Sequence, residues 1–486
     1  MTSARDIAST PVRAAMRPPS LACAPETPCA ELVARLGEVG AALAVVVDDG
    51  GHVLGVVGER EVARRIAFRV APETPVGEVM TAPVRTARDG ERLHAALARM
   101  RRARLDHLVV VDESGRLVGT LALADATAAM ATGLIRQIDR LTIEPVPDSP
   151  RRVKEGQAHL ARALLDDGVP ATDALRLLSD LNDAIYGRVI EDALAQMAEA
   201  GWGAPPRPFA AIVMGSAGRG ESLLRPDQDN GFVIADYPDA EHTPIDRFFI
   251  ELAGRMTRGL DAIGFPFCNG FVMATNPIWR KTLPQWQAQI DGWSRLRDPV
   301  ALLHADIFYD FQVAWGPAAL GAALRRHALG AARHTPRFLR DMATNESHHM
   351  VGLGWFKRFV TDPDEGPHQG EINLKRNALL PIVEAVRLYA LREGVAATNT
   401  QDRIAALANK GVFSRDERAA LSGAFDHVAE LLLRGQIADT LAGRKPSAYV
   451  APDALPGHDK DILALAMKAV DRLNTRLRAD FTGGIL

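Results

Sequence analysis

Cysteine is scarce in this sequence. Cys23, Cys29 and Cys268 are the only three among 486 residues. Three cysteines cannot build a disulfide framework, and no cysteine and histidine cluster with zinc-site spacing surrounds them. This composition excludes a disulfide-stabilised secreted scaffold and predicts a protein of the reducing cytoplasm.

Long apolar runs and a charge excess are also missing. No run approaches 18 apolar residues, and the first twenty residues lack the apolar segment of a signal peptide, so we expect no membrane span. The formal net charge is only −3. Overall electrostatics therefore gives no reason to expect a nucleic-acid partner, and a site for a polyanion has to be local.

An internal repeat occupies the first 130 residues, and each copy is predicted to be strand, tight turn, strand and helix. In the first copy these segments are 43–47, 48–51, 52–57 and 59–68. In the second they are 108–111, 112–115, 116–121 and 123–130. A helix-like stretch precedes each copy, at 29–39 and at 91–103. The duplication predicts two similar modules.

The repeat resembles a pair of CBS domains over about residues 8–132. The resemblance implies an adenine nucleotide bound between the two modules, with Asp125 holding the ribose, and a homodimer formed through the pair. Glu61 stands at the equivalent position of the first copy. Gly58 and Ala122 replace the usual threonine or serine. The alternative is a pair that serves only for packing or dimerisation.

Helical periodicity dominates the regions around the centre of the chain. Before a segment rich in proline and glycine at 201–208, it predicts helices at 134–141, 153–165 and 171–200. In the last third it predicts helices at 378–393, 401–409, 415–438 and 459–481. His348 and His349 are adjacent, hence on different faces of a helix, and we expect no metal role for them.

The central motif begins where a short apolar run, 209–214, leads directly into a glycine-rich turn at Gly215 and Ser216. Asp227 and Asp229 follow, at the start of a second apolar run. On a strand, positions i and i+2 share a face, so the two carboxylates are expected to project together. Such a pair is costly without a cation and suits Mg²⁺. Glycines let backbone N–H groups approach phosphates.

Three better-known motifs do not match this segment. Glu221 stands where a Walker A loop requires lysine, and the glycine spacing differs from the G-x-G-x-x-G dinucleotide fingerprint. An EF-hand beginning at Asp227 would have Phe232 and Pro238 where glycine and glutamate are required.

The stretch GSAGRGESLLRPDQDNGFVI resembles the signature of nucleotidyltransferases of the DNA polymerase β-like superfamily. It is closest to the DUF294-type proteins fused to CBS pairs, which are relatives of the PII-protein uridylyltransferases. Residues 264–274 resemble their next conserved strand, and the likeness spans about residues 145–475. It implies that Gly215, Ser216 and Arg219 bind an NTP. It also implies that Asp227 and Asp229 are catalytic ligands of one or two Mg²⁺ ions.

A third carboxylate usually completes such sites, and here the sequence leaves three answers open: Asp306, Asp310 or none. Arg219 has an alternative as well, an ion pair with Glu221. The last third resembles the family's substrate-binding domain. In it Lys375, Arg387 and Arg403 are candidates for phosphate or for an acidic acceptor, or else for ordinary ion pairs.

The sequence thus predicts an α/β (α+β) protein with a CBS pair, a transferase core built on a mixed sheet, and an all-helical C-terminal domain. The predicted boundaries are 8–132, 133–205, 206–317 and 318–486. The expected function is Mg²⁺-dependent transfer of NMP from an NTP to a small-molecule or protein acceptor, regulated by the CBS pair. The alternatives are a non-catalytic CBS-regulated scaffold and a protein uridylyl- or adenylyltransferase.

Overall fold

The computed structural model describes residues 10–67, 69–103, 105–130, 149–295, 298–346, 359–361 and 368–483. The predicted helix at 134–141 and the pair His348 and His349 lie outside these residues, as does Phe68, the predicted end of the first repeat. The chain divides into two compact units, Met1–Gln137 and Ile138–Leu486.

The first unit contains two three-stranded sheets of identical topology. Its strands are β1 (Ala22–Cys23), β2 (Leu43–Val47), β3 (Val53–Gly58), β4 (Thr86–Arg88), β5 (His107–Val111) and β6 (Leu117–Ala122). In each sheet the first strand pairs in parallel with the second, and the second pairs antiparallel with the third. The register shifts at the same point of both hairpins, after Val46 and after Val110. The predicted duplication is confirmed at the level of strand pairing.

The helices of the first unit follow the same repeat. They are a 3₁₀ turn at Val12–Ala14, α1 (Cys29–Val39), a short helix at Glu59–Glu61 continued by a π-type turn at Val62–Ile66, a turn at Val76–Val79, α2 (Leu93–Ala103) and α3 (residues 123–130). The modules meet through strand side chains, because Val45 of the first copy packs against Val109 and Val111 of the second.

Gly55 and Gly119 lie at equivalent positions of the two modules, and another part of the chain packs closely against each of them. A Cβ atom on Gly119 would lie 2.7 Å from the carbonyl oxygen of Arg17, and one on Gly55 would lie 2.1 Å from Sδ of Met80. The segment at Arg17 pairs with Thr120 through two backbone hydrogen bonds. Gly119 in β6 therefore leaves room for the backbone of the segment at Arg17, and Gly55 at the equivalent position of β3 leaves room for the Met80 side chain.

The second unit is built on a four-stranded mixed sheet in the order β10-β7-β8-β9. Its strands are β7 (Phe209–Val213), β8 (Asn230–Ile234), β9 (Arg280–Thr282) and β10 (Gln312–Trp315), with a separate pair β11 (Ile372–Asn373) and β12 (Tyr449–Val450). The central strands β7 and β8 are buried along their whole length. Phe209 packs edge-on against Phe232 and Phe249, with ring centroids 5.2 Å and 5.1 Å away. These aromatic contacts anchor the sheet beneath the glycine-rich turn.

Helices make up most of the rest of the second unit. They are α4 (Ser149–Asp166), α5 (Ala171–Glu199), α6 (His242–Ile263), α7 (Leu283–Arg295), α8 (Pro299–Phe308), α9 (Ala318–Arg333), α10 (Pro336–Glu346), α11 (Leu380–Arg392), α12 (Thr400–Asn409), α13 (Arg415–Leu441) and α14 (Gly457–Thr482). Shorter turns lie at Gly215–Gly218, Asp239–Glu241, Pro277–Trp279, Lys375–Leu379 and Pro452–Ala454. The predicted fold class, mixed α and β with a helical C-terminal region, is confirmed.

The prediction of a strand at 264–274 is wrong. Only Phe267 makes a single parallel bridge, to Gln228, and the chain then turns. The N–H of Phe271 donates to the carbonyl of Cys268, and Phe271 has a left-handed φ of 55°. The turn ends the pairing of this segment with the chain before β8. The strand that pairs with β8 on this side is β9.

The boundaries predicted inside the second unit, 206–317 and 318–486, remain a prediction, since both segments belong to one compact unit. Within the described part of the chain no helix is both long enough and apolar enough to cross a membrane.

Candidate functional site

The glycine-rich turn begins where β7 leaves the sheet. Gly215 has a left-handed φ of 58°, which favours glycine, and Gly215–Gly218 forms one helical turn. Ser216 follows at half-buried depth. A Cβ atom on Gly218 would lie 1.7 Å from the carbonyl oxygen of Asp310, so that position needs glycine for close packing. The conformation of the turn is therefore set by β7 on one side and by the chain around Asp310 on the other.

Asp227 and Asp229 precede β8 rather than lie within it, in a segment with extended alternation. Asp227 is exposed and Asp229 half-buried, whereas Gln228 and Asn230 are buried. The amide of Gln228 donates to the carbonyls of Thr257 and Phe265. The Oδ1 atom of Asn230 accepts from the N–H of Ala274. The buried amides hold the segment, so both carboxylates are left on the outward side.

The turn and the carboxylates meet at Gly215 and Asp229. The N–H of Met214 donates to the carbonyl of Asp229 at 2.9 Å. A Cβ atom on Gly215 would lie 2.9 Å from Oδ2 of Asp229, a distance that real Cβ contacts do not show. The structure thus brings together two sequence motifs that are separated by more than ten residues.

The electrostatics of Asp229 are those of a carboxylate short of positive charge. Burial, together with the nearby charge of Asp227, raises the pKa of Asp229 to about 6, against the lowering effects of the Cys268 thiol hydrogen bond and of Lys375. Burial and the Asp229 charge in turn raise the pKa of Cys268 to about 11. Lys375 is exposed and starts the turn before α11. It is the C-terminal candidate whose charge reaches Asp229.

Arg219 is bound into a buried ion-pair network. Its Nε atom lies 2.6 Å from Glu221 and its Nη1 atom 2.8 Å from Asp310. The guanidinium is only 7% exposed. The alternative that the sequence left open, an ion pair with Glu221, is the one the structure shows. A nucleotide-binding role for Arg219 would require breaking these contacts and stays a prediction.

Asp310 is the centre of that network. Its carboxylate also lies 2.8 Å from Nη1 of Arg387 and 2.6 Å from Nη1 of Arg403, and it is fully buried. The arginines hold the pKa of Asp310 well below its usual range, although burial alone would raise it. Arg387 and Arg403, two candidates for gripping a substrate, are therefore structural cations here.

Both candidates for the third acid form ion pairs with arginines. Asp310 is surrounded by arginines, and Asp306 pairs with Arg387. Among the described residues no group of three or more His, Cys, Asp or Glu side chains could hold a metal ion. The acidic set of the site is thus Asp227 and Asp229. The sequence carries no direct sign that Asp310 is ion-paired, because the arginines that contact it come from distant parts of the chain.

Asn399 and Thr400, at the start of α12, hold the glycine-rich turn from the other side. The Nδ2 atom of Asn399 donates to the carbonyl of Arg219, and the N–H of Thr400 donates to Glu221. Asn399 also caps α12 by accepting from two backbone N–H groups. Asn399 and Arg219 are 180 positions apart, so no local pattern in the sequence predicts their contact.

The two carboxylates fit Mg²⁺ as a donor set. Mg²⁺ prefers oxygen ligands and is often bound in proteins by one or two carboxylates, with water and substrate phosphates completing its octahedron. A half-buried carboxylate with a raised pKa is a group that a cation would stabilise in its charged form. Cys268 is a soft donor and does not belong to such a set.

In the first unit a cleft of about 420 Å³ lies between the two modules. It is lined by, among others, Gly58, Glu61, Thr81, Asp106 and His107. Glu61 accepts hydrogen bonds from the N–H of Gly58 and the hydroxyl of Thr81.

Asp125, the predicted ribose ligand, is not among the residues that line this cleft. Its carboxylate lies 2.6 Å from Nη2 of Arg17, and its side chain is 26% exposed. The ribose-binding role of Asp125 stays a prediction.

Comparison with family models covers most of the chain. The "CBS domain" model matches residues 12–68 and 76–132. The model "Putative nucleotidyltransferase DUF294" matches residues 155–300, and "Putative nucleotidyltransferase substrate binding domain" matches residues 336–481.

Among curated proteins, inosine-5'-monophosphate dehydrogenase of Mycobacterium tuberculosis is 36% identical over 104 residues, which are 21% of this chain and 19% of that protein. An uncharacterized protein of Methanocaldococcus jannaschii is 29% identical over 101 residues, 21% of this chain and 24% of the relative. The chain spans only about a fifth of the length of these relatives.

Two solved structures are similar to a quarter of the chain. An uncharacterized conserved protein from Pyrococcus horikoshii is 28% identical with a TM-score of 0.24, covering 25% of this chain and 92% of that one. A CBS domain protein from Pyrobaculum aerophilum, complexed with AMP, is 27% identical with a TM-score of 0.23, covering 25% and 99%. In chain order, the matches identify a CBS domain pair, a DUF294 domain and the substrate binding domain of the same type.

Proposed function

We propose that the second unit transfers a nucleoside monophosphate from an NTP to an acceptor in a Mg²⁺-dependent reaction. The observation that carries this proposal is the contact between the left-handed turn at Gly215 and the carboxylate of Asp229. A turn that presents backbone N–H groups beside two carboxylates is suited to a metal-bound triphosphate. The match to the DUF294 domain supports the same conclusion.

In this proposal each residue of the site has a distinct task. Gly215 and Ser216 hold the triphosphate against the backbone, and Asp227 and Asp229 hold Mg²⁺. When bound, the ion neutralises phosphate charge and stabilises the pyrophosphate leaving group. Lys375, whose charge lowers the pKa of Asp229, is proposed to contact a phosphate oxygen.

The transfer balances as a single displacement. A bond forms between the acceptor oxygen or nitrogen and the α-phosphorus, and the bond from that phosphorus to the bridging oxygen of the β-phosphate breaks. Pyrophosphate leaves, and the acceptor proton passes to water. The buried amides of Gln228 and Asn230 keep the carboxylate segment in place throughout.

The test is incubation of the full chain with each α-labelled NTP, Mg²⁺ and cell extract. We expect one NTP to label an acceptor, and the double variant Asp227→Asn with Asp229→Asn to lose both labelling and Mg²⁺-dependent NTP binding. Metal-dependent NTP binding that is unchanged in the double variant would contradict the assignment. Label in a protein band rather than in the small-molecule fraction would identify a protein acceptor.

A non-catalytic regulator is the second candidate, and one observation favours it. Both candidates for the third acid, Asp306 and Asp310, are in ion pairs with arginines. In that case no NTP releases pyrophosphate in the presence of extract, while CBS ligands still change partner binding. Pyrophosphate release by the wild type separates the two candidates directly.

The CBS pair is proposed to act as an adenine-nucleotide-responsive module. The 420 Å³ cleft between its modules is large enough for a small ligand, and it carries polar groups at Glu61, Thr81 and His107. Asp125 is proposed as a ribose ligand at the equivalent position of the second copy. A homodimer through the pair is part of this proposal, and light scattering of the full chain tests it. A cytoplasmic location is likewise proposed.

A further inference from the structure

A second cavity of the second unit has a lining whose charged side chains are all cationic. It has a volume of about 310 Å³, and its charged lining residues are Lys154, Arg225, Arg444 and Lys445. The remaining lining residues carry no charge. The four cationic residues come from three places: α4, the loop that leads to Asp227, and the segment after α13. Four cations converging from separate elements favour an anionic ligand.

Lys154 is the residue of this cavity that most needs an anion. It is 8% exposed, its Nζ atom donates to Oε1 of Gln157, and it lies 3.9 Å above the ring of Phe265. Burial and the charge of Arg225 lower the pKa of Lys154 to about 7. Within the described ranges no carboxylate forms an ion pair with it. A buried ammonium without a counter-charge is costly, and a bound anion would remove that cost.

The other three cations are arranged around the mouth of the cavity. Arg444 is fixed by Asp439, which lies 2.8 Å from its Nη2 atom. Arg225 and Lys445 are exposed, and in the described part of the chain neither forms an ion pair with a carboxylate. The lining therefore keeps a net positive charge after the Arg444 pair is counted.

The cavity is joined to the carboxylate segment through Phe265, which follows the lining residue Gly264. The carbonyl of Phe265 accepts a hydrogen bond of 2.7 Å from Gln228, the residue between Asp227 and Asp229. The ring of the same Phe265 lies beneath Lys154. On the other side, the N–H of Leu224 donates to Gln436 of α13. A ligand in the cavity would thus be held at a fixed position relative to the proposed transfer site.

We propose that this cavity binds the phosphate group of a phosphorylated small molecule, which is the acceptor of the transfer. The acceptor assignment rests on the proposed function, whereas the binding of phosphate in the cavity does not. A phosphate carries up to two negative charges and matches two arginines and two lysines better than a single carboxylate does. The volume is at the lower end of small-ligand sites, which fits a compact molecule.

The test uses the full chain in metal-free buffer with EDTA, titrated with inorganic phosphate and with glycerol phosphate in a calorimeter. We expect both to bind and the Lys154→Met variant to bind them about ten-fold or more weakly, the effect of losing one hydrogen bond to a charged group. The matched control is Lys460→Met, because Lys460 is an exposed helical lysine paired with Asp453 outside the cavity. No binding, or equal binding by Lys154→Met and wild type, would overturn the proposal.

A second variant guards against a folding defect. Arg225→Gln changes an exposed loop residue and should also weaken phosphate binding, with an unaltered thermal melt. Unaltered binding in Arg225→Gln, together with a misfolded Lys154→Met, would count against the cavity.

A competition experiment identifies the source of the phosphate. If glycerol phosphate and an NTP bind at the same time, the result supports glycerol phosphate as a model of the acceptor. If every NTP displaces glycerol phosphate one for one, the cavity binds the nucleotide, and the acceptor assignment is overturned. Lys154-dependent phosphate binding in a chain that transfers no nucleotide would keep the cavity as a phosphate site and overturn the proposed function, together with the acceptor assignment that rests on it.

Discussion

Gly215 leaves open the space that the carboxylate of Asp229 occupies: a Cβ atom on Gly215 would lie 2.9 Å from Oδ2 of Asp229. Glycine at this position is therefore needed for two reasons. It relieves the backbone at a φ of 58°, and it leaves room for a carboxylate. The phosphate turn and the metal carboxylate of the proposed site cannot be altered independently.

Gly215→Ala should consequently abolish Mg²⁺-dependent NTP binding, because the new methyl group displaces the Asp229 carboxylate. The matched control is Gly220→Ala, which has a similar left-handed φ of 67° but no atom within 4 Å of its Cβ position. Both variants should lose about 1–2 kcal/mol of unfolding free energy from the left-handed backbone. Calorimetric NTP titrations beside urea melts make the comparison. Equal NTP binding by the two variants would contradict the proposed role of Gly215.

The raised pKa of Asp229 predicts how stability depends on pH in the absence of metal. Between its ordinary value of 3.8 and about 6 the native state holds a proton that the unfolded state has released. The free energy of unfolding therefore falls as the pH rises through this window, and stays lowered above it.

Asp229→Asn lacks this loss, so its advantage over wild type should be small at pH 4 and reach about 3 kcal/mol above pH 6. Urea denaturation of both proteins at several pH values in EDTA measures the difference. An advantage that does not vary with pH would show that the carboxyl is not perturbed in the native state.

Asp310 is predicted to be a structural residue. Asp310→Ala leaves Arg219, Arg387 and Arg403 buried without their common counter-charge, which should cost about 3–5 kcal/mol of unfolding free energy. Asp306→Ala is the comparison, since Asp306 is 20% exposed and pairs with Arg387. It should cost about 1 kcal/mol. Denaturant melts rank the two, and a stable Asp310→Ala protein without transfer activity would instead reinstate Asp310 as the third acid.

The CBS pair should bind an adenine nucleotide in the full chain. We expect calorimetric binding of ATP, ADP, AMP or S-adenosylmethionine to a protein whose second site is silenced by Asp227→Asn and Asp229→Asn. Asp125→Ala should weaken it by about 1.5–3 kcal/mol, the value of a lost hydrogen bond to a charged group.

Arg17→Gln is the control, because it removes the ion pair with Asp125 and keeps the carboxylate. If none of the four ligands produces heat, only a packing or dimerisation role remains for the pair.

Local sequence determined the repeat and the order of the motifs. Strands such as Leu43–Val47 and Phe209–Val213 end where a glycine-rich or acidic turn begins, and the helix Cys29–Val39 has the predicted bounds. The proximity of Gly215 and Asp229 also follows from local order, because β7 and β8 are adjacent antiparallel strands that are joined near these residues. Hydrophobic periodicity and the preferences of turn residues act over a few residues, so they can be recognised in the sequence without knowledge of the fold.

Only the tertiary structure decided which charged side chains form ion pairs. Arg219, Asp310, Arg387 and Arg403 look equally suitable for a ligand in the sequence, yet burial brings them into one network. The same holds for Lys154, which lies on the buried face of α4 together with Gln157 and faces Arg225 only in the fold. Whether a charge is paired, and what its desolvation costs, depends on neighbours that are distant along the chain, and so no local pattern encodes it.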